Sequence, residues 1–188
     1  MSWSAIVPVK LGPEPKTRLA TRLDRAERRR VAEAMARHVV AELGAVAAIG
    51  PVRMLAAAAP WPGADWLAEA GRGLNRELAA ALATGPTLII HADLPLLAVA
   101  EVGELLAAAE AAGAAIAPDR HRTGTNALAL AAPGGFLPAF GEGSFARHRA
   151  LLPRAAVIER PGLGLDLDTP EDLDLALALG APAIARPI

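Results

Sequence analysis

A three-layer α/β/α domain with a mostly parallel sheet is the fold class the sequence predicts, and three observations carry it. Short apolar runs alternate with amphipathic stretches along the chain. One run, residues 87–90, is continuously apolar and β-branched, as a strand covered on both faces would be. The 188 residues are 53% hydrophobic and 21% charged, enough to build a full core without covalent staples. No internal repeat or low-complexity linker interrupts them, so one domain over residues 1–188 is expected.

Bulk chemistry removes several classes of function. There is no cysteine, which excludes disulfides and thiolate metal sites and makes a reducing cytoplasm the expected compartment. The net charge of −1 gives no general attraction to nucleic acid. Met1-Ser2-Trp3-Ser4 does not open a leader pattern, and no apolar run approaches the roughly 18 residues of a membrane span, so no membrane association is expected.

The elements follow in order. Residues 4–9 form a first strand. The next segment, Lys10 to Leu19, carries Gly12, Pro13 and Pro15, which rule out regular structure, and three cations, Lys10, Lys16 and Arg18. A strand running into a basic loop and then a helix has the outline of a phosphate-binding turn, although the P-loop spacing is absent; a solvated surface loop is the other reading. Asp24 with Glu27 forms a capping box. The helix behind it carries Val31, Met35, Val39 and Leu43 on one stripe and ends at Gly44, with Arg28, Arg29 and Arg30 read as its solvated face. Residues 52–58 are a second strand, Trp66 and Leu67 open a short segment, and a helix over 76–82 follows the glycine loop Gly71-Arg72-Gly73.

The central strand comes next, and Asp93 lies just past its carboxyl end, the edge where open α/β sheets bind ligands. Asp before Leu-Pro is equally a turn residue, so ligand and cap stand level on local grounds. Residues 99–111 form a helix with Val102, Leu105, Leu106 and Ala109 on one face, closed by Gly113. Residues 114–117 are a strand, and the less regular stretch up to Glu159 has room for an antiparallel strand. Ser144 is placed to cap a helix over 145–152, and residues 155–159 read as a strand. Thr169-Pro170-Glu171-Asp172 is a strong helix start, leading through Leu173, Leu175, Leu177 and Leu179 to Gly180. Asp166 and Asp168, two apart on an extended segment, can point to one side and hold a hard cation such as Mg²⁺; alternatively one faces solvent while the other helps the cap.

Three carboxylates after strands and three cations after the first strand are the inventory for nucleoside triphosphate chemistry. No Gly-x-Ser-x-Gly elbow and no His-x-x-x-His pair is present, so serine-nucleophile and zinc chemistry read poorly. Specific motifs go further: Val7-Pro8-Val9-Lys10 with Lys16-Thr17-Arg18-Leu19, Gly73-Leu74-Asn75, Ala92-Asp93-Leu94-Pro95, Gly124-Thr125-Asn126-Ala127-Leu128, Gly141-Glu142-Gly143-Ser144-Phe145 with His148, and Asp166-Leu167-Asp168-Thr169-Pro170-Glu171-Asp172. Through them almost the whole chain resembles the 2-phospho-L-lactate or phosphoenolpyruvate guanylyltransferases of coenzyme F420 biosynthesis, within the MobA-like nucleotidyltransferases.

The resemblance implies a Rossmann-like nucleotidyltransferase fold and a reaction in which a phosphorylated three-carbon acid (phosphoenolpyruvate, 2-phospho-L-lactate or 3-phosphoglycerate) attacks GTP and releases pyrophosphate. It implies Mg²⁺ on Asp93, Asp166 and Asp168, a triphosphate clamp of Lys10, Lys16 and Arg18, and nucleotide contacts from Gly73 and Asn75. Lys10, Lys16, Arg18 and Asp93 are then the catalytic set, and Thr125, Gly141 and Ser144 hold the acid. A homodimer and a downstream F420-pathway transferase are the implied partners. Competing readings are another MobA-like transferase, acting on a molybdopterin or sugar phosphate, and a non-catalytic nucleotide-binding module. His91 and the loop His121-Arg122-Thr123 depart from the family pattern.

Overall fold

The computed structural model describes residues 2–12, 14–82 and 84–184; Pro13, one of the loop-breaking residues above, lies outside them. At its centre is a seven-stranded sheet in the order β3-β2-β1-β4-β6-β5-β7. The strands are β1 (Trp3–Pro8), β2 (Ile49–Ala56), β3 (Trp66–Ala68), β4 (Thr87–Ile90), β5 (Ala114–Pro118), β6 (Thr125–Leu130) and β7 (Ala156–Val157). All neighbours are parallel except at β6, which runs against both β4 and β5. The two borders of the sheet, β3 and β7, are only three and two residues long. The helices are α1 (Arg25–Ala45), α2 (Leu74–Ala81), α3 (Val99–Ala112), α4 (Ser144–Leu151), α5 (Pro161–Gly164) and α6 (Pro170–Ala178).

Strand alternation distributes the core between two layers. Trp3, Ala5 and Val7 of β1, with Leu88 and Ile90 of β4, face Ala36, Val39 and Leu43 of α1 and Val102, Leu105 and Leu106 of α3. The residues between them, Ile6 and Ile89, join Ile116, Leu128 and Leu130 against Leu78 of α2 and Phe145 of α4. On β5 and β6 the first of these faces is all alanine: Ala115, Ala117, Ala127 and Ala129. A third cluster joins Leu19, Val31 and Met35 to Leu165, Leu167 and Leu173, and so seats α6 and the segment before it on the first half of α1. Among the described residues no helix is long and apolar enough to cross a membrane.

Topology places the ligand edge. From β1 the chain winds outward to β2 and β3, then crosses back to β4 on the other side of β1. The order therefore reverses between β1 and β4, and the crevice opens at their carboxyl ends. The basic loop leaves β1 there, and Asp93 leaves β4 there. Because β6 is reversed, its first residues, Thr125 and Asn126, come to this same edge.

Several expectations need correction. α1 runs through Gly44 to Ala45, β2 starts at Ile49, and α2 starts at Leu74. Residues 155–159 supply only the two-residue β7, and the short α5 has no forerunner in the sequence pattern. Gly143, in the left-handed region at φ 67°, stands at the N-cap of α4, and Ser144 is its first helical residue. Arg28 is not on a solvated face but buried: its guanidinium donates to Pro15 O (3.2 Å), Leu23 O (3.1 Å) and Glu14 Oε2 (2.8 Å). Of the leucines that the last helix runs through, Leu173 is buried but Leu175, Leu177 and the C-cap Leu179 are exposed, because a spacing of two fans around a helix. Both capping boxes form as expected, Asp24 with Glu27 and Thr169 with Asp172.

Ile89, fully buried at the centre of the sheet, tests this arrangement. Ile89→Ala is expected to cost about 3 kcal/mol, read as a lower urea midpoint with an unchanged slope; an unmoved midpoint would contradict a packed β4.

Candidate active site

The site begins with a lysine in an unusual backbone state. Lys16 stands at φ 50°, ψ 49°, in the left-handed region that costs a non-glycine residue about 1 kcal/mol. Its neighbours hold it there. Arg28 grips Pro15 O and Glu14, Arg25 also pairs with Glu14 (3.1 Å), and Lys16 O accepts from Leu19 N (2.9 Å) in the 3-10 turn Thr17–Leu19. The ammonium is thereby aimed across the switch point. Lys16 Nζ donates to Asp93 Oδ2 at 2.6 Å and to Asp168 Oδ1 at 2.8 Å, joining the loops after β1 and β4 to the segment before α6.

Each carboxylate has its own support. Leu167 N donates to Asp93 O (3.0 Å), which lays the Leu165–Asp168 segment against the end of β4. Leu165 and Leu167 point into the core, so Asp166 and Asp168 face the other way, as alternation requires. Asn126 Nδ2, from the start of β6, donates to Asp166 Oδ1 (3.2 Å) and to Leu163 O (3.1 Å). Asp168 N donates to Asp172 Oδ2 (3.1 Å), whose partner oxygen takes the Arg120 guanidinium at 2.6 Å.

Electrostatics follow from this geometry. Burial pulls the Lys16 ammonium toward neutrality, but the Asp93 and Asp168 carboxylates more than offset it and hold its pKa above the ordinary lysine range. Burial opposes ionisation of Asp93, yet Lys16 and, secondarily, His91 keep its pKa below the usual carboxylate value. Among the described residues Asp166 pairs with no cation; burial and then the Asp93 charge push its pKa up. Asp93 Oδ1 is buried with no hydrogen-bond partner among the described residues.

These observations bear on whether a hard divalent cation fits. The donors are carboxylate oxygens, one of them orphaned, and three carboxylates against one ammonium leave two negative charges for it to neutralise. Among the described residues no three such side chains converge into a finished metal cage, and Lys16 bridges two of the three. The residues fit the ion chemically, with side-chain rearrangement around Lys16.

A cavity of about 600 Å³ lies over this cluster, lined by Lys10, Lys16, Arg18, Leu74, His91, Asp93 and Asp168, among others. Lys10 and Arg18 are exposed along its wall. Gly73, at φ 86°, is the N-cap of α2 and precedes the lining residue Leu74. Glu77 fastens that loop by accepting from Ala70 N (2.9 Å), Arg72 N (2.8 Å) and Arg72 Nη2 (2.7 Å), and these Arg72 bonds lower its pKa to about 2.

Thr125, Gly141 and Ser144 do not line the cavity. They form a second group next to it, beyond His91. His91 N donates to Asn126 O (2.9 Å), and its ring lies 5.4 Å from that of Phe140. Thr125 is buried, with Oγ1 2.9 Å from His148 Nδ1. Ser144 N donates to Gly141 O (3.0 Å), closing the turn, and Phe145 N donates to Thr123 O (3.2 Å), setting it against the loop 119–124. Asp119 organises that loop, accepting from His121 N, Thr123 N and Gly124 N. The side-chain amide of Asn75, another of the predicted nucleotide contacts, is bonded to the backbone of Phe140.

Asn126, His148 and Arg28 are not among the predicted site residues. Arg28 has a signal, since it stands three residues before Val31 and seven before Met35, on the apolar stripe. His148 is a buried histidine whose partners Ala139 and Thr125 lie outside its own helix, which no local pattern shows.

An open α/β sheet with phosphate-attracting cations and clustered carboxylates at its switch point defines a nucleotide-handling transferase. The family described as Guanylyl transferase CofC like matches residues 3–185. A phosphoenolpyruvate guanylyltransferase of Sphaerobacter thermophilus is 39% identical to this chain, covering 93% of it and 92% of the relative. Its counterpart in Rubrobacter xylanophilus is 41% identical, covering 92% of each. In fold, the chain is similar to 2-C-methyl-D-erythritol 4-phosphate cytidylyltransferase of Thermus thermophilus, at TM-score 0.58 and 18% identity over 96% of this chain and 99% of that one. The chain belongs to the CofC-like guanylyl transferase family and is a nucleotidyltransferase.

Burial of His148 ties the stability of the fold to pH. Burial, then the charges of Arg147 and His91, lower its pKa from 6.5 to about 4. Between those values the unfolded chain binds a proton that the folded protein does not, so stability falls as pH drops through this window and is unaffected by the group above it. The full loss corresponds to about 3 kcal/mol. Urea unfolding at pH 7.5, 6 and 5 is expected to show this decline, and His148→Gln to flatten it; a parent protein equally stable at all three pH values would contradict a neutral buried His148.

Proposed function

We propose that the protein transfers the guanylyl group of GTP to a phosphorylated three-carbon acid, phosphoenolpyruvate first among the candidates, with Mg²⁺ as cofactor. The single observation behind this reading is the Lys16 bridge to Asp93 and Asp168 at the floor of the cation-lined cavity. The 39% and 41% identical relatives, both phosphoenolpyruvate guanylyltransferases, supply the nucleotide and the acid. The 600 Å³ volume lies in the range of small-ligand sites.

The chemistry asks little of the protein beyond placement. An oxygen of the acid's phosphate forms a bond to the α-phosphorus of GTP, the bond from that phosphorus to the bridging oxygen of the β-phosphate breaks, and pyrophosphate leaves with the electron pair. The attacking phosphate has a second pKa near 6 and is already largely ionised at neutral pH, so no general base is required. Lys10, Lys16 and Arg18 hold the triphosphate and neutralise charge on the leaving pyrophosphate. Asp93, Asp166 and Asp168 would hold Mg²⁺, which supplies charge neutralisation at the phosphates when bound. Gly73 provides backbone close to the nucleotide, and Thr125, Gly141 and Ser144 receive the acid on the far side of His91. Alignment of the two substrates across His91 then provides the rate. The product, an acid joined to guanosine through a diphosphate, is an activated donor for a downstream transferase of the F420 pathway, and the chain acts in the cytoplasm.

Pyrophosphate release from GTP and Mg²⁺ is expected with at least one of phosphoenolpyruvate, 2-phospho-L-lactate and 3-phosphoglycerate, tested in parallel. No release with any of them overturns the reading. A screen of the four nucleoside triphosphates with the active acid is expected to favour GTP. Asp93→Asn should lower kcat by about 10²-fold or more while the protein stays folded, by analogy with removal of one preorganised electrostatic group.

A further inference from the structure

The chain between β6 and α4 contains a short segment whose backbone is held by side chains instead of by a sheet or helix. Ala139 N donates to His148 Nε2 (2.9 Å), and Ala139 O accepts from Arg147 Nε (3.1 Å) and Nη2 (3.0 Å). Phe140 N donates to Asn75 Oδ1 (2.8 Å), and Phe140 O accepts from Asn75 Nδ2 (3.1 Å). All four backbone polar groups of two consecutive residues are thus met by three side chains from two helices. The Phe140 ring is fixed as well, 5.4 Å from the ring of His91 and edge-on to that of His148 at 4.8 Å. Immediately afterwards Gly141, at φ 114°, opens the turn that ends at Ser144.

We propose that Asn75 is a positioning residue for the acid-side turn, acting through the backbone of Phe140, and not a ligand of the nucleotide. The inference rests on the reading of Gly141 and Ser144 as acid-holding residues given above. A primary amide suits this role because it presents one donor and one acceptor in a plane and pairs with the N–H and C=O of a single residue, as a neighbouring strand would. Asp at this position keeps the acceptor for Phe140 N but opposes Phe140 O with a second oxygen, and Ala provides neither group.

Asn75 also stands next to Leu74 in the first turn of α2, and Leu74 lines the cation cavity. The element that borders the nucleotide side therefore fixes the start of the acid-side turn. His148 ties the same segment to Thr125. A backbone N–H can only donate, so His148 Nε2 is the acceptor for Ala139 N. In the neutral ring Nδ1 then carries the proton, which it donates to Thr125 Oγ1. Asn75 and His148 hold the turn and Thr125 in one fixed relation.

The test is steady-state kinetics on Asn75→Ala and Asn75→Asp with each substrate varied, together with GTP affinity measured by equilibrium titration and hydrogen exchange of the Phe140 amide in the unliganded proteins. Asn75→Ala is expected to raise KM for the acid about tenfold, the loss of two modest hydrogen bonds, with GTP affinity within about twofold of the parent by the same scale. Asn75→Asp should fall between the two, and the Phe140 amide, protected in the parent, should exchange faster in both variants. A loss of GTP affinity with an unchanged acid KM would make Asn75 a nucleotide ligand and overturn the proposal. Equal losses on both substrates, or none on either, overturn it too. If the parent itself releases no pyrophosphate with any acid, the functional reading fails, and Phe140 exchange still shows whether the clamp exists.

Discussion

One ammonium group holds the site together. Lys16 reaches from the loop after β1 to a carboxylate after β4 and another before α6, and these three segments meet at the switch point of the sheet. Without Lys16, Asp93 and Asp168 would share a partly buried space with Asp166 and only the secondary charge of His91 beside them, a costly arrangement. With it, Asp93 stays ionised while Asp166 remains the carboxylate least content with its surroundings. That imbalance is what a divalent cation would relieve. Much of the surrounding structure serves to aim this one side chain: the buried Arg28, the Glu14 pair and the left-handed backbone at Lys16 itself.

Two kinds of support surround the site, and they differ in range. The cap of α6 is local: Asp172 closes Thr169 and also receives Asp168 N, so a helix start and a site carboxylate share one side chain. The rest is long-range: Asn75 joins α2 to Phe140, His148 joins α4 to Thr125 of β6, and Asn126 joins β6 to Asp166. Beside the cavity stands His91, one residue past β4, bonded through its backbone to Asn126 and packed by its ring on Phe140. The residue that departs from the family pattern therefore stands between the cavity and the Phe140 segment.

What the sequence reveals divides along the same line. Both capping boxes, the doubly covered β4 and the buried face of α3 can be read because their causes lie within a few residues. The place of Asp93 can be read from the strand-like run before it, whereas Asp166 and Asp168 follow α5 and not a strand. The direction of β6 cannot, since its alanine-rich run carries no mark of parallel or antiparallel pairing. Ser144 has the chemistry of a cap, but Gly143 takes that position because the chain enters α4 with a positive φ. Arg28 resembles its neighbours Arg29 and Arg30, and only its place on the apolar stripe distinguishes it. The resemblance implies a nucleotide contact at Asn75, and its hydrogen-bond partner in the fold, Phe140, is 65 residues away and leaves no local mark.

The borders of the sheet have a consequence of a different kind. An exposed strand edge is a template on which a second chain can extend the ladder. Here β3 offers three residues and β7 two, and β4, the apolar segment most prone to such pairing, lies between β1 and β6. Strand addition at either border would gain only a few backbone hydrogen bonds before the ladder ran out. A chain this rich in alanine and leucine is in that way guarded against stacking edge to edge at high concentration.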